Sequence, residues 1–112
     1  MKTILTVDDS ATARQMTGLV LRGAGYEVIE ALDGEDALRK VPGRALNLIL
    51  TGINMPKMDG LELTRWLRAM DEYKFVPIVL LTTESHPDRQ AVQPGAIVSG
   101  GKKGDALTPR RK

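Results

Sequence analysis

The chain contains no cysteine. That excludes disulfides and thiolate metal sites, and it fits a reducing compartment. Aromatic residues make up only 4%, and none follows Phe75. The single histidine, His86, lies beside Pro87 in a polar stretch. Without a second histidine or a cysteine it reads as a solvated loop residue rather than a metal ligand or catalytic base. No apolar run approaches the roughly 20 residues of a membrane-spanning helix. The short apolar run in "MKTILTVDDS" is broken by Asp8 and is too short for a signal peptide. A cytoplasmic protein with no membrane contact is expected. No G-x-G-x-x-G or Walker pattern occurs, and no catalytic triad or paired acid–base motif is recognisable, so an enzyme is not expected.

What is present is enough for one domain. The 112 residues are 42% hydrophobic and 27% charged, with a net charge of +2, an ordinary composition for a single packed core. Positive charge gathers at the C-terminal end, where "GGKKGDALTPRRK" holds Lys102, Lys103, Arg110, Arg111 and Lys112 against Asp105. No aromatic residue is interleaved there, so a solvated tail is expected rather than a nucleic-acid contact. The division is a domain over residues 1–100 and a basic, flexible tail over 101–112.

Strand-like and helix-like stretches alternate. Thr3–Val7 is a short β-branched run that stops at Asp8 and Asp9. From Ser10 the spacing turns helical, with Ala11, Met16, Leu19, Val20 and Ala24 as the expected apolar face and Arg14, Gln15 and Arg22 on the polar side. Asp9 or Ser10 caps this helix, and Gly23 or Gly25 ends it. A second strand is expected over 26–31 and a second helix over 33–41, then a third strand over 45–50. Asp59 opens a third helix whose apolar face is Leu63, Trp66, Leu67 and Met70, with Trp66 in the core. A fourth strand is expected over 75–81. The strands are nearly continuous apolar runs, which indicates a parallel sheet covered on both faces. In such open sheets the ligand site lies beyond the carboxyl ends of the strands. Those ends carry Asp8-Asp9, Thr51-Gly52 and Thr82-Thr83. Adjacent carboxylates at a strand end suit a hard cation such as Mg2+, although a helix cap and a solvated acid explain them equally well.

Four stretches taken together, "ILTVDDSATARQM", "GYEVIEALDGEDAL", "LILTGINMPKMDGLEL" and "PIVLLTTES", resemble a response-regulator receiver domain of the chemotaxis CheY type. The resemblance runs from Ile4 to Ser85. It implies a CheY/flavodoxin-like α/β fold, a doubly wound parallel sheet of five strands in order 2-1-3-4-5. It also implies a chemistry in which a histidine kinase donates a phosphoryl group to an aspartate at the end of the third strand. On that pattern Asp8, Asp9 and the backbone carbonyl of Asn54 hold Mg2+, Thr82 bonds the phosphoryl oxygens, and Lys102 is the candidate for the family's phosphoryl-contacting lysine. The acceptor position falls on Gly52, which has no nucleophile. The implied function is two-component signalling, with a histidine kinase or downstream signalling protein as partner, Mg2+ binding weakened, and phosphoryl acceptance lost. A substituted form of an ordinary receiver and a flavodoxin-like small-ligand binder are the alternatives. The C-terminal quarter departs from the family, with an incomplete fifth strand and fifth helix expected and the fourth strand left near an edge. Uncovered apolar surface then predicts a homodimer or swapped assembly.

Overall fold

The structure is a computed structural model that describes residues 1–81 in full and the backbone of 96–99. Strands β1 (Thr3–Val7), β2 (Glu27–Ala31), β3 (Leu48–Gly52), β4 (Ile78–Leu81) and β5 (Ala96–Ser99) form one sheet in the order β2-β1-β3-β4-β5. Helices α1 (Ala11–Gly23), α2 (Gly34–Lys40) and α3 (Gly60–Arg68) connect the first four strands. Those four strands pair in parallel, as the alternation of runs predicts.

The fifth strand differs from the expected parallel order. It pairs antiparallel to β4, with Ile78 opposite Ser99 and Leu81 opposite Ala96. A parallel partner needs a crossover of a dozen or more residues, usually a helix. Residues 82–95 carry Pro87 and Pro94, which oppose a long helix. An antiparallel strand starts at the end of the sheet where β4 finishes and needs no such crossover. β4 is therefore paired on both sides rather than left near an edge.

Two strands, β3 and β4, begin well after their expected starts. β3 begins at Leu48 rather than 45, with Leu46 buried in the turn before it. β4 begins only after Pro77, and Phe75, expected in the strand, is 60% exposed. Proline lacks the N–H that a strand ladder uses.

One face of the sheet is fully packed. Leu5, Val7, Ile49 and Ile78 meet Ala37 of α2, Val41 at its end, and Leu63 and Leu67 of α3. Tyr73 closes this core from a 3-10 turn at Asp71–Tyr73. Its hydroxyl donates to the carbonyls of Val41 and Arg44, the latter at 2.8 Å. The hydroxyl is 32 residues from Val41 in sequence, so it staples the end of α2 to the turn before β4. Burial pushes the Tyr73 phenol above its ordinary value, assisted by Glu72.

The helix termini follow from side-chain caps. Ser10 accepts from the Ala13 N–H, Asp33 from Asp36 and Asp59 from Glu62. Asp36 is itself buried, and burial raises its carboxyl. The Leu32 N–H, Lys40 and Arg39 outweigh that effect and hold it below the ordinary carboxylate value.

The second face is built unlike the expected pattern. α1 lies over β1 and β2, yet Met16, Leu19 and Val20 are 60–70% exposed. Gly18 is buried and Arg14 is half-buried. Arg14 Nε stands 3.5 Å and Arg22 Nη1 3.0 Å from the two oxygens of Glu30 on β2. A Cβ on Gly18 would meet Glu30 Oε2 at 2.8 Å, so glycine clears room for this ion-pair ladder. The helix thus turns its basic side to the sheet. Beyond it Leu48, Leu50, Val79 and Leu81 alternate with the packed residues and stay half-buried. Trp66 likewise departs from expectation. It is 53% exposed, because Gly60, Leu63, Thr64 and Leu67 form the buried side of α3.

Tyr73→Phe is expected to lower the unfolding free energy by about 1–2 kcal/mol, measured by urea titration. A raised phenol pKa means that the stability it contributes is full below the unfolded value of 10.0. That stability is lost as pH rises through the folded value. The substitution should therefore flatten the alkaline limb of stability against pH.

Candidate functional site

The register of the central strands sets the site. Val7 pairs with Thr51, and Gly52 with Leu81. The residues leaving β1 therefore stand beside the end of β3, at the carboxyl edge of the sheet, with α1 and α3 starting around it. Asp8 and Asp9 follow β1 there. The Asp8 N–H donates to the Ala31 carbonyl at 3.1 Å, and the Ser10 N–H donates to Asp8 Oδ1 at 2.9 Å. Asp9 is exposed and caps nothing, since Ser10 holds that place. The Asp8 side chain thus shapes the turn, while the Asp9 side chain is exposed.

Helical spacing alone puts Arg14 on the polar side of α1. In the structure its Nη1 donates to the Asp8 carbonyl at 2.6 Å while Nε faces Glu30. It ties the acidic turn to β2. An arginine one turn into a helix that starts at the acidic pair was the available signal.

Gly52 ends β3, buried. A Cβ there would lie 3.9 Å from Met55 Cγ and 4.0 Å from the Val7 carbonyl oxygen, which is ordinary contact. Its φ is outside the positive region that favours glycine. Neither backbone conformation nor crowding requires glycine at this position. Gly60 is the opposite case. A Cβ on it would lie 2.2 Å from the Gly52 carbonyl oxygen, and its N–H donates to Ile53 at 2.8 Å. The loop 53–59 closes onto the end of β3 through this contact. Asn54 is exposed in that loop. Lys57 holds φ at 69°, a left-handed conformation costly for a side chain with Cβ. It lies 4.0 Å from Glu35.

The structure therefore brings Asp8, Asp9 and Gly52 to one edge and puts Asn54 in the adjoining loop. Thr82, Lys102 and His86 lie outside the described residues. Oxygen donors of this kind suit Mg2+, which takes a few carboxylates and carbonyls and keeps several waters. Their number is small: among the described residues no three acidic, histidine or cysteine side chains converge to hold a metal.

Residues 4–98 match the response regulator receiver domain family. The chain belongs to that family. The match extends past the Ile4–Ser85 stretch that carries the sequence motifs. A Vibrio cholerae chemotaxis protein, CheY4, shares 43% identity over 81% of this chain and 76% of its own, with a TM-score of 0.73. The response regulator TrrA, from Thermotoga maritima, has been solved in complex with the histidine kinase ThkA; that structure is 38% identical over 78% of this receiver and 73% of the matched chain, with a TM-score of 0.68. The gliding motility regulatory protein of Myxococcus xanthus is 38% identical over 83% of this receiver, a stretch that makes up only 12% of that protein. Receiver domains serve two-component signalling, interact with histidine kinases and generally bind Mg2+ at their phosphorylation site. They are typically non-catalytic modules. No helix among the described residues is long and apolar enough to cross a membrane.

Gly60→Ala is expected to cost about 3 kcal/mol, the upper end of overpacking penalties, because the obstructing atom is backbone. Lys57→Gly is expected to gain about 0.5–1 kcal/mol by relieving the left-handed conformation; thermal or urea unfolding of each variant checks both.

Proposed function

We propose that this receiver domain signals by protein contact, without accepting a phosphoryl group, because the acceptor position at the end of β3 is held by Gly52. The observation that carries this reading is the space around Gly52. A Cβ fits there in ordinary contact, so neither crowding nor backbone conformation calls for glycine, and on this reading the pocket is short of one nucleophile. No other described residue replaces it. Asp59 is occupied as the α3 cap, accepting from Glu62 at 2.8 Å. The Thr51 hydroxyl donates to the Gly52 carbonyl at 3.0 Å and is buried. Asp8, Asp9 and the Asn54 carbonyl are the residues that would hold Mg2+, with affinity lowered by the missing carboxylate. When bound, the ion offsets negative charge on a phosphoryl group. Thr82 and Lys102 remain proposals for the phosphoryl-contacting groups. A histidine kinase or a downstream signalling protein is the proposed partner, in a cytoplasmic setting, with residues 101–112 a basic tail outside the receiver.

The room at Gly52 also means that one substitution should restore the chemistry. Gly52→Asp is expected to take up phosphoryl from acetyl phosphate in the presence of Mg2+, read by intact-protein mass, while the present chain does not. Calorimetry should show Mg2+ binding at least about tenfold tighter in the variant, because ligand charge count sets divalent affinity. Phosphoryl uptake by the present chain would overturn the phosphorylation-independent reading. An inert Gly52→Asp chain would show that the pocket around Gly52 has lost more than one residue.

A further inference from the structure

Among the described residues, the second face of the sheet has two unfilled halves. On α1, Met16 stands on the side opposite Gly18 and Arg14, with Leu19 and Val20 on its two shoulders, given roughly 100° per residue. All three are exposed. On the sheet, Leu48 and Leu50 of β3 and Val79 and Leu81 of β4 form an apolar lane beyond α1. The helix has an apolar side with no described element above it. The lane has apolar side chains with no described helix upon it.

The rest of this chain offers little to cover either. Residues 82–95 contain only Ala91 and Val92 as aliphatic side chains, and 100–112 only Ala106 and Leu107. A segment needs an apolar stripe of about three or four residues per two turns to pack as a helix on such a lane, and neither stretch has one.

We infer that a second copy of this chain fills both. In a two-fold arrangement the two α1 helices lie side by side between two sheets. Each rests on its own β1 and β2 through the Arg14–Glu30–Arg22 ladder and presents Leu19 and Met16 to the partner's β3–β4 lane. Val20 meets the neighbouring helix at its shoulder. The contact is isologous, so one stripe and one lane per copy close the assembly without leaving a free end. Seven apolar side chains per copy take part, fewer than the roughly 20–30 residues a side of standard stable interfaces. A concentration-dependent dimer follows, and the arrangement does not depend on how Gly52 is read.

Sedimentation velocity of the full chain from micromolar to near-millimolar concentration should show a monomer–dimer equilibrium. Leu19→Glu places a charge within the contact on a side chain already exposed. It should weaken association at least about tenfold while leaving the circular dichroism spectrum and melting unchanged. Trp66→Ala, on the outer side of α3, should leave association as it is. Because the chain lacks cysteine, mixed Leu19→Cys and Val79→Cys chains can report the geometry, with the mixed disulfide dimer forming in excess of either homodimer on oxidation. A monomer throughout the range, or a dimer that survives Leu19→Glu, overturns the inference. So does a dimer dispersed by Trp66→Ala, or cross-linking without excess of the mixed pair.

Discussion

A parallel sheet has two faces, and both must be taken out of water. Every other feature of this receiver domain follows from how that requirement is met on each side. On one side α2 and α3 meet it with aliphatic side chains packed to full burial. On the other, α1 meets it over two strands only, and does so with arginines rather than leucines. The two sides therefore differ in the kind of force that holds them as well as in completeness.

The candidate site sits where both sides meet the sheet's carboxyl edge. Its two central glycines show how one residue type answers to different physics. Gly60 is imposed by the carbonyl of Gly52 lying where its Cβ would be, and the whole 53–59 loop depends on that approach. Gly52 itself is imposed by nothing nearby. The fold leaves the identity of Gly52 unexplained, and the proposed loss of a phosphoacceptor at that position would account for it.

Much of this was legible before the structure. The first four strands, three helices, the caps at Ser10 and Asp59 and the convergence of Asp8, Asp9 and Gly52 follow from apolar runs, turn residues and the strand-end rule. What was not legible has specific causes. Helical spacing finds the apolar side of α1 but cannot say whether a layer exists for it to face. Arg14 and Arg22 read as polar until Glu30 arrives beneath them from β2. The run from 75 to 81 reads as a strand because spacing ignores that Pro77 has no N–H to donate to a ladder. The direction of β5 depends on the path between strands, which strand-like composition does not encode.

The ladder under α1 has a consequence for how the molecule meets its surroundings. Ion pairs weaken as salt screens them, whereas apolar burial is strengthened by strongly hydrated salts. The two layers of this one domain thus respond to the same solvent in opposite senses. A cell's ionic composition acts on it as a lever, loosening the layer around α1 while tightening the layer beneath α3.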